Sequence, residues 1–143
     1  LQSFIRGEEI WAIEYKENHK VIGSIGIHKD EKRNGVNAKM IGYVLSEDYW
    51  GKEIMCEVVE EVIRYLFEEQ KCDVISCCHY PFNAQSKRVI EKSGFQYEGT
   101  IRLAGKTYNG TFYDSVCYSM LREDYLKKKV RRGYKCKDNF FAN

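Results

Sequence analysis

Two short stretches and a few isolated side chains offer chemistry. Tyr49 to Phe67, YWGKEIMCEVVEEVIRYLF, passes from a polar turn into a helix without a break, so the first free N–H groups of that helix lie over Trp50, Gly51, Lys52, Glu53, Ile54 and Met55. Such a helix start attracts an anionic ligand, and Lys52 adds a mobile positive charge. Asn83 stands two residues after the one proline, where it can cap a second helix, and Ser86 follows three residues later on the same face. His79 closes a β-rich run, and a histidine can take a proton near neutral pH. An ordinary strand-end histidine is the reading its position favours. Glu47 and Asp48 precede the turn and could act on a proton through water, while Asp114 and Tyr118 belong to the last β-rich run.

The elements that must position these groups follow from periodicity. From Ile54, apolar residues recur at Val58, Val62 and Leu66, and beside them at Met55, Val59, Ile63 and Phe67, which is one wide helical stripe. Asn37 to Leu45 before it and Cys72 to His79 after it read as strands. Strand, turn, helix, strand predicts a right-handed parallel crossover, with the helix start opening at the carboxyl edge of the sheet. Upstream, Ile10 to Lys16 and Val21 to Lys29 read as a hairpin, and Asp30 to Gly35 as the turn returning the chain to Asn37. Leu1 to Gly7 is too short to assign. Downstream come a short helix, Ala84 to Lys92, stopped at Gly94, and two strands, Phe95 to Leu103 and Thr111 to Leu121, joined through Asn109-Gly110. The predicted fold class is α/β with a mixed sheet, its antiparallel strands leading into a central β-α-β crossover.

Composition is that of a single domain: 143 residues, 43% hydrophobic and 14% aromatic. No apolar run approaches a membrane span and no signal peptide opens the chain, so the expectation is a cytoplasmic protein without a membrane partner. The six cysteines show no paired metal-ligand spacing and read as free thiols, with no metal expected. The net charge of +2 hides an asymmetry, because residues 122 to 143 carry eight Lys/Arg against three Asp/Glu. Residues 1–121 thus read as the domain and 122–143 as a solvated basic extension, for which nucleic acid is a less favoured partner.

The order of elements, together with WGKEIMCE, then NAQSKRVIEKSGFQYEGT and then YNGTFYDSVCYSML, resembles the GNAT superfamily of acetyl-CoA-dependent N-acetyltransferases, and within it the RimJ/RimL branch. The resemblance covers about Trp11 to Leu121. It implies transfer of acetyl from acetyl-CoA to a primary amine, either a protein N-terminus such as that of a ribosomal protein or a small molecule. Val44, Leu45 and the turn from Trp50 to Met55 would bind the cofactor, the turn holding its pyrophosphate and Val44 and Leu45 flanking its pantetheine arm where two strands splay beyond Leu45. Asn83 and Ser86 would be cofactor ligands beside the thiol, with Ser86 able to donate a proton to the departing thiolate. His79 becomes the candidate base, and Glu47 and Asp114 candidate contacts to the acceptor amine. Asp114 reads equally as a structural partner of a nearby basic group.

Two departures from the family pattern stand out. In the signature Q/R-x-x-G-x-G/A the aligned residues are Trp50, Glu53 and Met55, which places a carboxylate where the pyrophosphate is expected. The tyrosine often found seven residues after the asparagine is Ile90. In addition, the branch normally begins with a strand and one or two helices before the match to Trp11, so the chain reads as N-terminally short. A neighbouring chain in a homodimer could supply that wall. The alternative function is a non-catalytic GNAT-like module acting through its basic tail.

Overall fold

The computed structural model describes residues 2–5 and 8–136, with side chains from 9 to 132. Seven strands form one mixed sheet: β1 (Gln2–Ile5), β2 (Glu8–Tyr15), β3 (Lys20–Lys29), β4 (Ala38–Leu45), β5 (Val74–His79), β6 (Gln96–Lys106) and β7 (Phe112–Leu121), in the order β1-β2-β3-β4-β5-β7-β6. The helices are α1 (Ile54–Glu68), α2 (Ala84–Lys92) and α3 (Arg122–Cys136), with a short 3-10 turn at Glu47–Tyr49. β1, from the segment too short to assign, pairs antiparallel with β2 from Gln2↔Trp11 to Ile5↔Glu8.

Register decides which residues meet the helices. Trp11 faces Ile25, Ile25 faces Tyr43 and Ile27 faces Ile41 across β2, β3 and β4, while Ile75 faces Met120 and Cys77 faces Tyr118 across β5 and β7. These side chains share one sheet face because residues paired across a ladder point the same way. Against them α1 buries Met55, Val59, Val62, Ile63, Leu66 and Phe67, and α2 buries Val89 and Ile90, in a single cluster. Ile54 and Val58, the outer margin of the predicted stripe, are half-buried. Each fully buried aliphatic side chain contributes about 1.5–3 kcal/mol.

The crossover is where the sheet opens. β4 and β5 pair in parallel only from Ala38↔Val74 to Met40↔Ser76, although β4 continues to Leu45 and β5 to His79. The splay therefore begins just after Met40, inside the strand, and not beyond Leu45 as the sequence suggested. The paired end is locked by local polar contacts: Asn37 N–H donates to Asp73 Oδ2 at 2.8 Å, and the Asn37 side-chain amide donates to the carbonyls of Gln70 and Lys71. Among the described residues, no comparable polar contact joins the strands at the open end.

A second tie holds the turn after β3. Asp30 is 1% exposed and accepts from Ser76 Oγ at 2.7 Å, Lys32 N–H at 3.0 Å and Arg33 Nη1 at 2.6 Å. Arg33 also donates to both oxygens of Glu98, linking the turn to β6.

The basic segment after β7 is helical through Cys136, and its described side chains, 122–132, include several that dock on the domain. It forms α3, and Tyr125 stacks on Phe67 with ring centroids 5.0 Å apart and donates to Glu68 at 2.7 Å. Arg122 donates to the carbonyl oxygens of Phe67 and Cys72. Lys128 donates to the Ser93 carbonyl at 2.7 Å, Lys129 pairs with Glu68, and Arg132 pairs with Glu60 at 2.7 Å. Three of these basic groups, Lys128, Lys129 and Arg132, are thus matched by Glu60 and Glu68 of α1. Residues 137–143 of the expected extension lie outside the described residues.

No helix among the described residues is long and apolar enough to cross a membrane, and none of their acidic, cysteine and histidine side chains form a metal-binding group. Cys56, Cys72, Cys77, Cys78 and Cys117 are free thiols, Cys56 and Cys78 being half-buried.

Candidate active site

The free end of β4, the start of α1 and the start of α2 bound an open groove. Its walls are Tyr43, Val44 and Leu45 from β4, Trp50 and Met55 from the α1 approach, and Asn83, Gln85, Ser86 and Val89 from α2. Past Leu45, Met55 and Val89 it continues between α1 and α2, where Gly51, Glu53, Ile54, Cys56, Arg88 and Lys92 line it. Of the residues expected at the cofactor, only Lys52 lines neither part. Its ammonium lies over the rings of Tyr49 and Tyr15, 5.3 and 5.9 Å from their centroids, a cation–π arrangement that competes with an anion for the same charge.

At Glu53 the turn keeps a backbone conformation that glycine favours. Gly51 has φ +76° and Glu53 has φ +62°, both left-handed, so a residue with a side chain adopts the conformation that glycine takes without cost. Adding a Cβ at Gly51 would meet nothing, so there the backbone conformation, not space, favours glycine. Glu53 caps α1 without a side-chain hydrogen bond to the backbone N–H groups of its first turn. Its carboxylate instead accepts from Lys92 Nζ at 2.5 Å, and this hydrogen bond holds its pKa below the usual carboxylate range. Cys56, beside it, is pushed up by burial and by the Glu53 charge, so it stays a thiol and not a reactive thiolate.

Asn83 is the α2 cap, its Oδ1 accepting from Ser86 N–H at 3.0 Å. The Ser86 hydroxyl lies 3.1 Å from the Tyr43 hydroxyl, and Tyr43 also donates to the Ser86 carbonyl at 3.2 Å. Burial pushes the Tyr43 phenol well above its ordinary range, only partly opposed by the Ser86 bond. Tyr43 is therefore a neutral donor reaching across the open gap from β4 to α2. Trp50 Nε1 donates to the Leu45 carbonyl at 2.9 Å, occupying the last acceptor of β4.

The other expected site residues are not gathered at the groove. His79 is 6% exposed, with Nδ1 2.7 Å from the Tyr80 carbonyl and Nε2 3.2 Å from the Tyr118 hydroxyl. A carbonyl only accepts, so Nδ1 carries the proton and Nε2 accepts from Tyr118. With both nitrogens engaged inside the fold, His79 offers no free lone pair to an incoming amine. Asp114 accepts from Leu103 N–H at 2.8 Å, which shapes the β6–β7 hairpin. Its partner is backbone and not the basic group considered from sequence. Glu47 is exposed in the 3-10 turn after β4. Tyr43, Gln85, Arg88 and Lys92 went unassigned from sequence as site residues. Spacing held the signal: 85, 88, 89 and 92 share one face of α2, and Tyr43 alternates with Ile41 and Leu45 on the helix-covered side of β4.

A mixed sheet that opens between two parallel strands, with helix starts at the opening, defines a mixed α/β fold with a ligand groove at its strand ends. The acetyltransferase (GNAT) domain family matches residues 2–96, and the chain belongs to that family. It is 32% identical over 120 residues to the SPbeta prophage-derived uncharacterized N-acetyltransferase YokL of Bacillus subtilis, covering 82% of this chain and 65% of that protein. Identity to the uncharacterized N-acetyltransferase YoaA of the same organism is 31% over 112 residues, covering 78% of this chain and 62% of that protein. Among solved structures, the ribosomal-protein-S5-alanine acetyltransferase from Vibrio fischeri superposes with a TM-score of 0.74 at 28% identity, covering 82% of this chain and 63% of that one. The chain thus spans less than two thirds of the length of these relatives.

Proposed function

We propose that this protein transfers acetyl from acetyl-CoA to a primary amine, with a protein N-terminus as the favoured acceptor and a small-molecule amine as the other. The observation that carries the reading is that β4 parts from β5 beyond Met40 and Ser76 and that the free end of β4, Tyr43 to Leu45, lines a groove bounded by both helix starts. An extended pantetheine arm can pair with that backbone as an added strand does. The turn from Trp50 to Met55 presents backbone N–H groups at the positive end of α1 to a diphosphate. Protein N-termini are favoured because of the likeness to the S5-alanine acetyltransferase.

In this reading the amine nitrogen attacks the thioester carbonyl directly, a C–N bond forms as the C–S bond breaks, and no covalent enzyme intermediate arises. Free N–H groups at the end of β4 stabilise the negative charge on the carbonyl oxygen. The Ser86 hydroxyl supplies a proton or hydrogen bond to the departing thiolate. With both His79 nitrogens engaged, the ammonium proton passes through water to Glu47, Asp48 or solvent.

A thermal melt with excess acetyl-CoA tests the binding step. A ligand that binds only the native state at 100 times its Kd adds about 2.7 kcal/mol of stability, so a rise of several degrees is expected. An unchanged melting temperature at millimolar ligand would support the alternative, a non-catalytic module. Turnover against a panel of peptides and small amines, read as released thiol, then separates the acceptor classes. The described part of the tail gives the module reading little support, because Lys128, Lys129 and Arg132 already contact Glu60 and Glu68.

A further inference from the structure

At the phosphate end of the groove, the residue standing in the place of a family glycine is a carboxylate that is already paired. Glu53 Oε1 lies 2.5 Å from Lys92 Nζ, so the cap of α1 is latched to the last turn of α2. Gly51, Arg88 and Cys56 line the same stretch of groove. The left-handed backbone at Glu53 gives the turn its glycine-like path while its side chain reaches across to Lys92. On the acetyl-CoA reading above, we infer that Glu53 is a built-in occupant of a phosphate subsite formed by Lys92 and Arg88, and that it is exchanged for the cofactor's diphosphate on binding.

Three features support an exchange over a simple surface pair. A diphosphate at the start of α1 brings two negative charges to a groove that already holds the Glu53 carboxylate, so the carboxylate and the phosphates compete for one ammonium. Both side chains are about half exposed, 57% for Glu53 and 44% for Lys92. The carboxylate can therefore swing to solvent without stranding a buried charge, and an exposed pair of this kind is weak enough to yield. Lys52, the cation expected from sequence to meet the phosphates, is held over Tyr15 and Tyr49, which leaves α2 to supply the charge. Arg88 adds a planar donor suited to phosphate. The exchange makes wild-type affinity for acetyl-CoA lower than the cationic groove alone would give.

The test is a double-mutant cycle by calorimetry, with acetyl-CoA as the probe at one fixed ionic strength, on wild type, Glu53→Gln, Lys92→Gln and the double variant. All four should melt cooperatively within a few degrees of each other, since both positions are exposed. Exchange predicts that Glu53→Gln tightens binding about three- to tenfold when Lys92 is present and less than twofold when it is not. By the same coupling, Lys92→Gln should weaken binding more in the Glu53→Gln background than in wild type. A gain at least as large without Lys92 overturns the exchange and leaves Glu53 as a simple repulsive charge. If none of the four binds acetyl-CoA, the cofactor reading itself fails and the exchange falls with it, an outcome distinct from binding with uncoupled effects.

Discussion

The Tyr43 hydroxyl sits 3.1 Å from the Ser86 hydroxyl and bonds the Ser86 carbonyl at 3.2 Å, so one phenol bridges β4 and α2 across the splayed gap. Ser86 is thereby held at the groove wall beside Asn83, with its hydroxyl oriented by a neighbour that stays neutral.

If Ser86 assists departure of the thiolate, its contribution grows in the transition state, and Ser86→Ala should lower kcat more than it raises KM for acetyl-CoA. General acid assistance is worth about 10²- to 10⁴-fold, and a supporting hydrogen bond less. Steady-state kinetics on an accepted amine decide the matter. An unchanged kcat with a raised KM would make Ser86 a cofactor ligand only.

Tyr43→Phe removes the bridge while keeping the ring. A half-buried hydrogen bond contributes about 0.5–1.5 kcal/mol, so urea unfolding should show a loss of that size. The loss in kcat should be smaller than for Ser86→Ala, because the serine hydroxyl remains but is less firmly placed. Equal stability of the two proteins would mean that the bridge is not formed in solution.

Asp30 gives the fold an acid limit. Burial alone would raise its pKa, but bonds from Ser76, Lys32 N–H and Arg33 outweigh that and bring it down to about 2. The folded value lies below the unfolded one of about 3.9, so the contribution is fully present above pH 4 and is lost as pH falls towards 2. It amounts to about 2.5 kcal/mol. Asp30→Asn should lower stability at pH 7 by about that amount or more, and flatten the pH dependence of the urea midpoint between pH 4 and 2. A variant whose acid unfolding matches wild type would place the sensitive carboxylate elsewhere.

The docking of α3 predicts a structural role for the basic segment. Tyr125→Ala deletes the ring stacked on Phe67 and its bond to Glu68, and should cost about 2–4 kcal/mol in denaturant unfolding. Acetyl-CoA affinity should be unchanged, since Tyr125 lines no part of the groove. Removal of residues 122–143 with no loss of stability would restore the solvated-extension reading.

Local rules settled much of this protein. The stripe from Ile54 to Phe67, the Asn83 cap, the Gly94 stop (φ +91°) and the Asn109-Gly110 turn are visible in sequence because each depends on residues within a few positions of one another. The order of strands and the ligand end of the sheet followed from the same periodicities, and the family resemblance added the expected splay of the two parallel strands and the residues expected along the cofactor. What tertiary structure decided was every long-range pairing of a polar group. Glu53 meets Lys92 thirty-nine residues away, and Tyr43 reaches Ser86 at a separation of forty-three. His79 is engaged by Tyr118, Asp114 by the Leu103 amide, and Lys128, Lys129 and Arg132 of α3 by Glu60 and Glu68. A side chain's type fixes what it can donate or accept, but which partner arrives is set by the register of β4, β5 and β7 and by the packing of three helices on one sheet face. Tertiary pairing also decided the early splay: pairing between β4 and β5 ends after Met40 and Ser76, and both strands persist beyond it because β3 and β7 still hold their other edges.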